Sequence, residues 1–205
     1  MARAPLTREE SRQQTRRRLL DAAARVFAKR GYRGASVEEI SSEAGYTIGA
    51  LYSNFSGKEE VLLALLEQRV AQIAERIVTA ALQADTPTDK LRAGAREWME
   101  FLDDEPELYA LMVEFWTIWV RDDEQRPHHG KRFAAVREYI GGLIQQKADE
   151  MGVTMALPPD QIGAVVLALA DGLALQYLAN PDAMPKELFP SVLPILIQAL
   201  EEPGR

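Results

Sequence analysis

Residues 36–55 read SVEEISSEAGYTIGALYSNF, and the order of their helix signals decides the fold. Ser36 with Glu39 has the spacing of a capping box, Val37 and Ile40 begin an apolar face, and Ala44-Gly45 stops it, which predicts a helix of barely two turns. Thr47 then caps a second helix, carried by Leu51 and Tyr52 to about Phe55. Two short helices meeting at a glycine have the pattern of a helix-turn-helix. Ile40, Ala44, Leu51 and Phe55 fall on the inward side; Tyr46, Thr47, Ile48, Ala50, Ser53 and Asn54 face outward. Gly49 and Ala50 keep the front of the second helix slim enough to enter a major groove.

Outward from this stretch the signals remain helical. Thr7 with Glu10 is a capping box, Leu19, Leu20, Ala23, Ala24 and Phe27 form the stripe that follows, and Gly31 stops that helix. Ser56 with Glu59 is a third box, opening a long fourth helix at Lys58 whose apolar residues, from Val61 to Ala81, predict helix to about Ala84. Further helices are predicted from Pro87 to Asp103, from Pro106 through Trp119, from Arg132 to Met151, from Pro159 to Leu178 and from Pro185 to Glu201. Asp122 to Lys131, with Pro127 and Gly130 among charges, reads as a loop, and Pro190 and Pro194 delay or kink the start of the last helix. No segment alternates long enough for a strand, so the fold class is all-α, with the fourth helix joining two domains.

Composition bounds the chemistry. In 205 residues there is no Cys and there are two His, adjacent at 128 and 129, so thiolate catalysis, a disulfide framework, a His-based triad and a structural zinc site lack their parts. The expectation is a chain that is not an enzyme and carries neither metal nor cofactor. Net charge is −7, yet residues 1–35 hold ten Arg or Lys against three acids, a surplus of +7 that leaves −14 for the rest. A basic head on an acidic body suits one end that meets a polyanion, although charge alone equally describes a solvated Arg-rich helix face. The first residues are polar and basic with no apolar stretch before Leu19, and the run Ile162–Ala170 is cut by Asp171 short of the roughly 18 residues a membrane span needs. A cytoplasmic protein without a span is expected.

Residues 15–61 resemble the DNA-binding head of the TetR/AcrR family of transcriptional regulators. The resemblance lies in LLDAA-x-x-x-F-x-x-x-G, S-V-E-E-I-S-x-x-A-G, G-A-L-Y-x-x-F and G-K-E-E-V, in that order and spacing, over about a quarter of the chain. It implies a three-helix DNA-binding domain at 1–58, with 1–11 a flexible arm or the start of helix one, and a helical ligand-binding and dimerisation domain at 59–205. It further implies a homodimer that binds a palindromic operator and releases it on binding a small molecule. By position, Tyr52 and Lys58 match phosphate-gripping residues, and Thr47, Ile48 and Gly49 occupy the base-proximal front of the recognition helix; core packing is the alternative for Tyr52. The full set of expected DNA contacts is Arg16, Ser36, Tyr46, Thr47, Ile48, Gly49, Ala50, Tyr52, Ser53, Asn54 and Lys58.

Family members often carry Lys where this chain has Ile48. With no Arg, Lys, Gln or Asn at the helix front before Asn54, bidentate reading of purines has no donor there, and methyl contacts from Thr47, Ile48 and Ala50 to thymine are the available substitute. Guanines would be read elsewhere, and the Arg-rich segment before helix one is either a basic arm on phosphates or in a minor groove, or a disordered tail.

In the second domain Trp98, Phe101, Tyr109, Met112, Phe115, Trp116, Trp119 and Phe133 concentrate the large side chains where the family keeps its cavity. As a set they favour an aromatic-walled pocket for a hydrophobic or amphipathic effector; singly, each is ordinary core. His128 is a polar candidate near its mouth or a plain loop residue. Ala164, Ala168 and Gly172 recur every four residues, a smooth stripe that with the last helix suits a four-helix dimer interface. The function expected is a ligand-responsive DNA-binding regulator, a homodimeric repressor. The alternatives are an activator or co-repressed regulator of the same fold and, more remotely, a helical small-molecule carrier, which would need no basic head.

Overall fold

The computed structural model describes residues 7–124 and 126–201, apart from the side chains of 126–129, 132 and 133. Among the described residues the structure is helical: α1 (Arg8–Gly34), α2 (Val37–Ala44), α3 (Ile48–Tyr52), α4 (Lys58–Leu82), α5 (Pro87–Asp104), α6 (Pro106–Trp119), α7 (Arg126–Met151), α8 (Pro159–Ala179) and α9 (Leu188–Ala199), with a 3-10 turn at Pro181–Ala183. The one extended pairing among the described residues is an isolated antiparallel bridge between Met155 and Glu201. The all-α expectation holds.

By compactness the chain divides into two units. One runs to Gln72 and includes Glu107–Thr117 of α6; the other comprises Ile73–Pro106 and the chain from Ile118 onward. Compactness therefore divides the chain inside α4, not at the 58/59 junction where the DNA-binding domain was expected to end. The first three turns of α4 bury Val61, Leu62, Leu65 and Leu66 with the head, so the helix supplies part of its core before leaving it.

In the first unit, α1 begins with both halves of the predicted box: Thr7 Oγ1 accepts from the Glu10 amide at 3.2 Å, and Glu10 Oε2 accepts from the Thr7 amide at 2.7 Å. Residues 7–11 are thus the cap and first turn of a helix; 1–6 lie outside the described residues. Leu19, Leu20, Ala22, Ala23, Val26 and Phe27 are buried, and the helix breaks at Gly31, whose φ of 67° is left-handed. Gly45 closes α2 at φ 73°, its amide donating to the carbonyls of Ser41 and Ser42, a conformation that favours Gly over a residue bearing a Cβ.

Two predicted boxes form differently. Ser36 Oγ accepts from the Glu39 amide at 3.2 Å, but the Glu39 carboxylate turns to Arg30 at 3.6 Å instead of closing the box. At the start of α4 the Ser56 amide donates to Glu60, not Glu59, at 2.6 Å, because the helix begins at Lys58 and Glu60 is the residue one turn in that reaches back. Other bounds also move. α3 ends at Tyr52, three residues before Phe55, since Asn54 and Phe55 donate to the Leu51 carbonyl in a tighter turn. Helix α4 ends two residues early, at Leu82.

The segment read as a loop to Lys131 is helical from Arg126, because a proline at 127 falls in the first turn, where its missing N–H costs nothing. Helix α9 starts at Leu188 and not at Pro185, with Pro190 in its first turn and Pro194 inside it.

In the second unit α7 and α8 cross closely. A Cβ at Gly141 would lie 1.6 Å from the Pro159 carbonyl oxygen and one at Gly163 2.0 Å from that of Arg137, so this contact requires two glycines. Arg76 of α4 ties α5 through Glu97 at 2.9 Å and Asp104 at 3.3 Å, and Asp103 receives both Tyr177 and Lys186. By length and composition α8 is apolar enough to cross a membrane, against expectation, since one half-buried carboxylate at Asp171 does not end its apolar pattern. It packs along α7 through Gly163, as a core helix of a bundle does.

Candidate nucleic-acid interface

Five residues are too few for a helix to hold itself together, so α3 depends on what braces it. Thr47 Oγ1 accepts from the Ala50 amide at 3.2 Å and caps it. At the other end Ser53 Oγ and Asn54 Nδ2 both donate to the Ala50 carbonyl at 2.8 Å. Leu51 and Phe55 are fully buried beneath it. Arg16, expected at DNA, is spent on this brace: its Nη1 donates to the Asn54 carbonyl at 2.8 Å, and its guanidinium lies 4.2 Å from the centre of the Phe55 ring. What α3 presents to solvent is therefore narrow. Ile48 is 42% exposed and Tyr52 54%, with Thr47, Gly49 and Ser53 exposed beside them and Tyr46, Ala50 and Asn54 half-buried. Core packing, the alternative for Tyr52, is excluded by its exposure.

Lys58 has a second employment. Its ammonium donates to the carbonyls of Tyr32 and Ala35, both at 2.8 Å, and sits 4.6 Å from the centre of the Tyr32 ring. It thereby fixes the turn between α1 and α2 that ends in the Ser36 cap, leaving one of its three N–H bonds for a phosphate.

The turn has another clamp, which the sequence reading missed. Glu114 accepts from the Tyr32 amide at 3.0 Å and the Arg33 amide at 3.3 Å, and the neighbouring Phe115 ring is 5.3 Å from that of Tyr32. The signal was present: a lone acid in Met112-Val113-Glu114-Phe115-Trp116, and amides left without helical partners once Gly31 breaks α1. Burial first, then the Glu59 and Glu114 carboxylates, push the Tyr32 phenol up. The Ser56 amide holds the Glu60 carboxyl below the usual carboxylate range.

Charge is distributed unequally along α1. Arg25 pairs with Glu43 at 2.7 Å and Arg30 with Glu39, binding the later turns to α2. Arg8, Arg12, Arg17 and Arg18 have no carboxylate partner among the described residues, and no side chain before Leu19 is buried. Arg8, Arg12 and Arg16 follow one another at helical spacing, so the row that ends in the clamp on α3 continues outward as free cations.

A family model described as bacterial regulatory proteins of the tetR family matches residues 19–65, and one described as the C-terminal part of a BetI-type transcriptional repressor matches residues 87–200, more than half of the chain. The chain belongs to the TetR family of transcriptional regulators. Among TetR-family relatives it is 27% identical to the nicotine-responsive repressor HdnoR of Paenarthrobacter nicotinovorans, over 81% of this chain and 84% of that protein. It is 33% identical to the transcriptional activator FasR of Mycolicibacterium smegmatis, over 50% of this chain but only 47% of FasR. Among solved structures, SmeT, repressor of the Stenotrophomonas maltophilia multidrug efflux pump SmeDEF, aligns with a TM-score of 0.66 at 25% identity, covering 95% of this chain and 94% of SmeT.

The remaining predicted residues of this TetR-family chain divide between its units. Tyr109 and Phe115 are buried, Met112 is half-buried and Trp116 is 50% exposed in the first; Phe101 and Trp119 are buried and Trp98 half-buried in the second. Trp98 and Phe101 rings lie 5.5 Å apart. The Phe133 and His128 side chains lie outside the described residues. On α8 the close approach of another helix in the same chain uses Gly163, not the stripe: Ala168 is exposed, Ala164 and Gly172 half-buried, and a Cβ at Gly172 would meet nothing within 4 Å.

Proposed function

We infer that this TetR-family regulator is a homodimeric repressor that binds a palindromic operator through α3 and is released by a hydrophobic or aromatic small molecule. The observation that carries the DNA half is the contrast across α3, where Leu51 is fully buried and Tyr52, one residue on, turns most of its ring to solvent. Such a phenol is placed to donate to a phosphate, with Thr47, Ile48 and Gly49 ahead of it toward bases and Tyr46, Ala50, Ser53 and Asn54 around it. Ser36, Arg16 and Lys58 then act mainly by holding the turn and the helix in place, with 1–58 as the DNA-contacting part and 59–205 as the effector-binding and dimerising part, in the cytoplasm where operator DNA lies.

Dimerisation is supported by the partly covered stripe of Ala164, Ala168 and Gly172, alongside which Leu175 is 49% exposed, and by Ile195 of α9, 65% exposed. These apolar positions favour burial against a second copy. The effector reading rests on the Trp98 and Phe101 rings, 5.5 Å apart within the second unit, and on a relative, HdnoR, whose name describes it as nicotine-responsive. FasR, an activator matched over half of this chain, favours activation as the second reading. A gel shift on the DNA flanking the chain's own gene, with and without aromatic compounds, tests all of this. Binding that a compound releases supports the repressor; binding only in its presence supports the co-repressed form; no binding to that or any selected DNA overturns the proposal.

A further inference from the structure

We propose that α3 selects its bases by their C5-methyl groups through Ile48, so that 5-methylcytosine as well as thymine is accepted where that side chain lands. This rests on α3 being the recognition helix and specifies what that helix can read. A base edge is ordinarily distinguished by paired donors and acceptors, which Arg, Lys, Gln and Asn supply. Here the Tyr52 phenol is assigned to a phosphate, and the other polar side chains at the two ends of α3 engage its own backbone: Thr47 accepts from the Ala50 amide, and Ser53 and Asn54 donate to the Ala50 carbonyl. The Asn54 amide nitrogen donates to that carbonyl and to Ser53 Oγ at 3.3 Å, so both of its hydrogens are engaged at the half-buried end of the helix and none is left for adenine N7.

Thr47 keeps its O–H and one lone pair and Ser53 keeps one lone pair, and a single hydroxyl oxygen serves a phosphate or a single base atom but does not span a bidentate pair. Ile48 is different. It is the first residue of the helix, 42% exposed, flanked by exposed Gly49 and half-buried Ala50, and its branched side chain has no polar atom to satisfy. The major-groove group it complements is the methyl of thymine, and 5-methylcytosine bears the same methyl at the same ring position. Cytosine lacks it, and so does uracil.

The experiment uses the full chain and a half-site palindrome recovered by selection from a random duplex pool; failure to enrich any sequence would defeat the DNA-binding reading itself. On the enriched palindrome each thymine is replaced in turn by uracil, which removes only the methyl. At one symmetric position per half-site, binding should weaken about fourfold per methyl, or roughly fifteenfold for the dimer, and Ile48→Ala should lose less than twofold from the same replacement. At that position a C·G pair should bind about fourfold better per half-site once the cytosine is 5-methylated, again only with Ile48 present. The exposure of Ile48 makes the Ala variant safe for folding. Enriched DNA that is indifferent to uracil at every position, or a methyl preference that persists in Ile48→Ala, overturns the inference while leaving DNA binding intact.

Discussion

Lys58 and Tyr52 separate two jobs that the sequence motif joins. The Lys58 ammonium holds two carbonyls at 2.8 Å in a half-buried turn, so Lys58→Ala leaves both without their donor. The expected cost is about 1–3 kcal/mol of stability, read as a lower urea midpoint, with a loss of roughly 0.9 in the salt slope of DNA binding if its third N–H meets a phosphate. Tyr52 carries no such structural load: Tyr52→Phe should leave the stability read from urea unfolding within about 0.5 kcal/mol of wild type and weaken binding to specific and random DNA alike. A Tyr52→Phe protein that binds both as well as wild type would remove the phenol from the interface.

Glu60 gives the head a pH dependence. Its carboxyl is held low in the folded chain by the Ser56 amide, so it contributes stability above the ordinary glutamate range, and that contribution is lost as pH falls through its lowered value. Solvent screening limits the effect to at most about 1 kcal/mol at this largely exposed position. Glu60→Ala should therefore lower the melting temperature at pH 7, and its difference from wild type should shrink as the pH is lowered, in thermal melts across that range.

Helix α1 is longer than its core requires. Among the described residues nothing before Leu19 is buried, yet the helix starts at a complete capping box around Thr7 and carries Arg8 and Arg12 in line with the anchored Arg16. Of the readings open for the Arg-rich segment, the described part is neither an extended arm nor a tail but a helical ridge. If that ridge lies along phosphates, Arg8→Ala with Arg12→Ala should reduce the salt slope by about 1.8 with helicity by circular dichroism unchanged. An unchanged slope would leave the ridge as a solvated face. Helix α3 shows the opposite economy: five residues with little to hold them as an isolated helix, fixed by a cap, two side chains folded onto one carbonyl and an arginine from α1.

At the scale of the whole molecule, the uncovered faces of α8 and α9 argue for a partner of the same chain. Since a side chain at position 172 meets nothing within its own protomer, Gly172→Leu should fold normally and yet overpack the interface, giving a monomer by sedimentation. A charge at Ile195, as in Ile195→Glu, should do the same, and both should lose tight operator binding because one head covers one half-site. Dimers that persist in both variants would move the interface elsewhere. Effector action is constrained by linkage: a ligand that weakens operator binding by a given factor must itself bind the operator complex more weakly by that factor. Quenching of Trp98, Trp116 and Trp119 fluorescence, titrated with and without operator, measures it.

The sequence by itself determined the elements. Caps, glycine stops and apolar spacing are local, so Thr7, Ser36, Gly45, Thr47 and Pro87 placed helix ends to within a few residues, and the ordered motifs of residues 15–61 were enough to place the family. Where local signals competed, the structure shows which prevailed: Glu60 over Glu59, helix over loop at Arg126, Leu188 over Pro185. Only the tertiary structure decided what each side chain does. Arg16, Lys58 and Glu114 act on carbonyls and amides distant in sequence, and no periodicity reports which backbone group will be orphaned when two helices meet. The same holds for the glycines of α7 and α8, where Gly141 and Gly163 permit the crossing while the more regular stripe at 164, 168 and 172 is only partly covered. Spacing along one helix tells which residues share a face; which face is covered depends on the other helices, and that is settled only when the chain has folded.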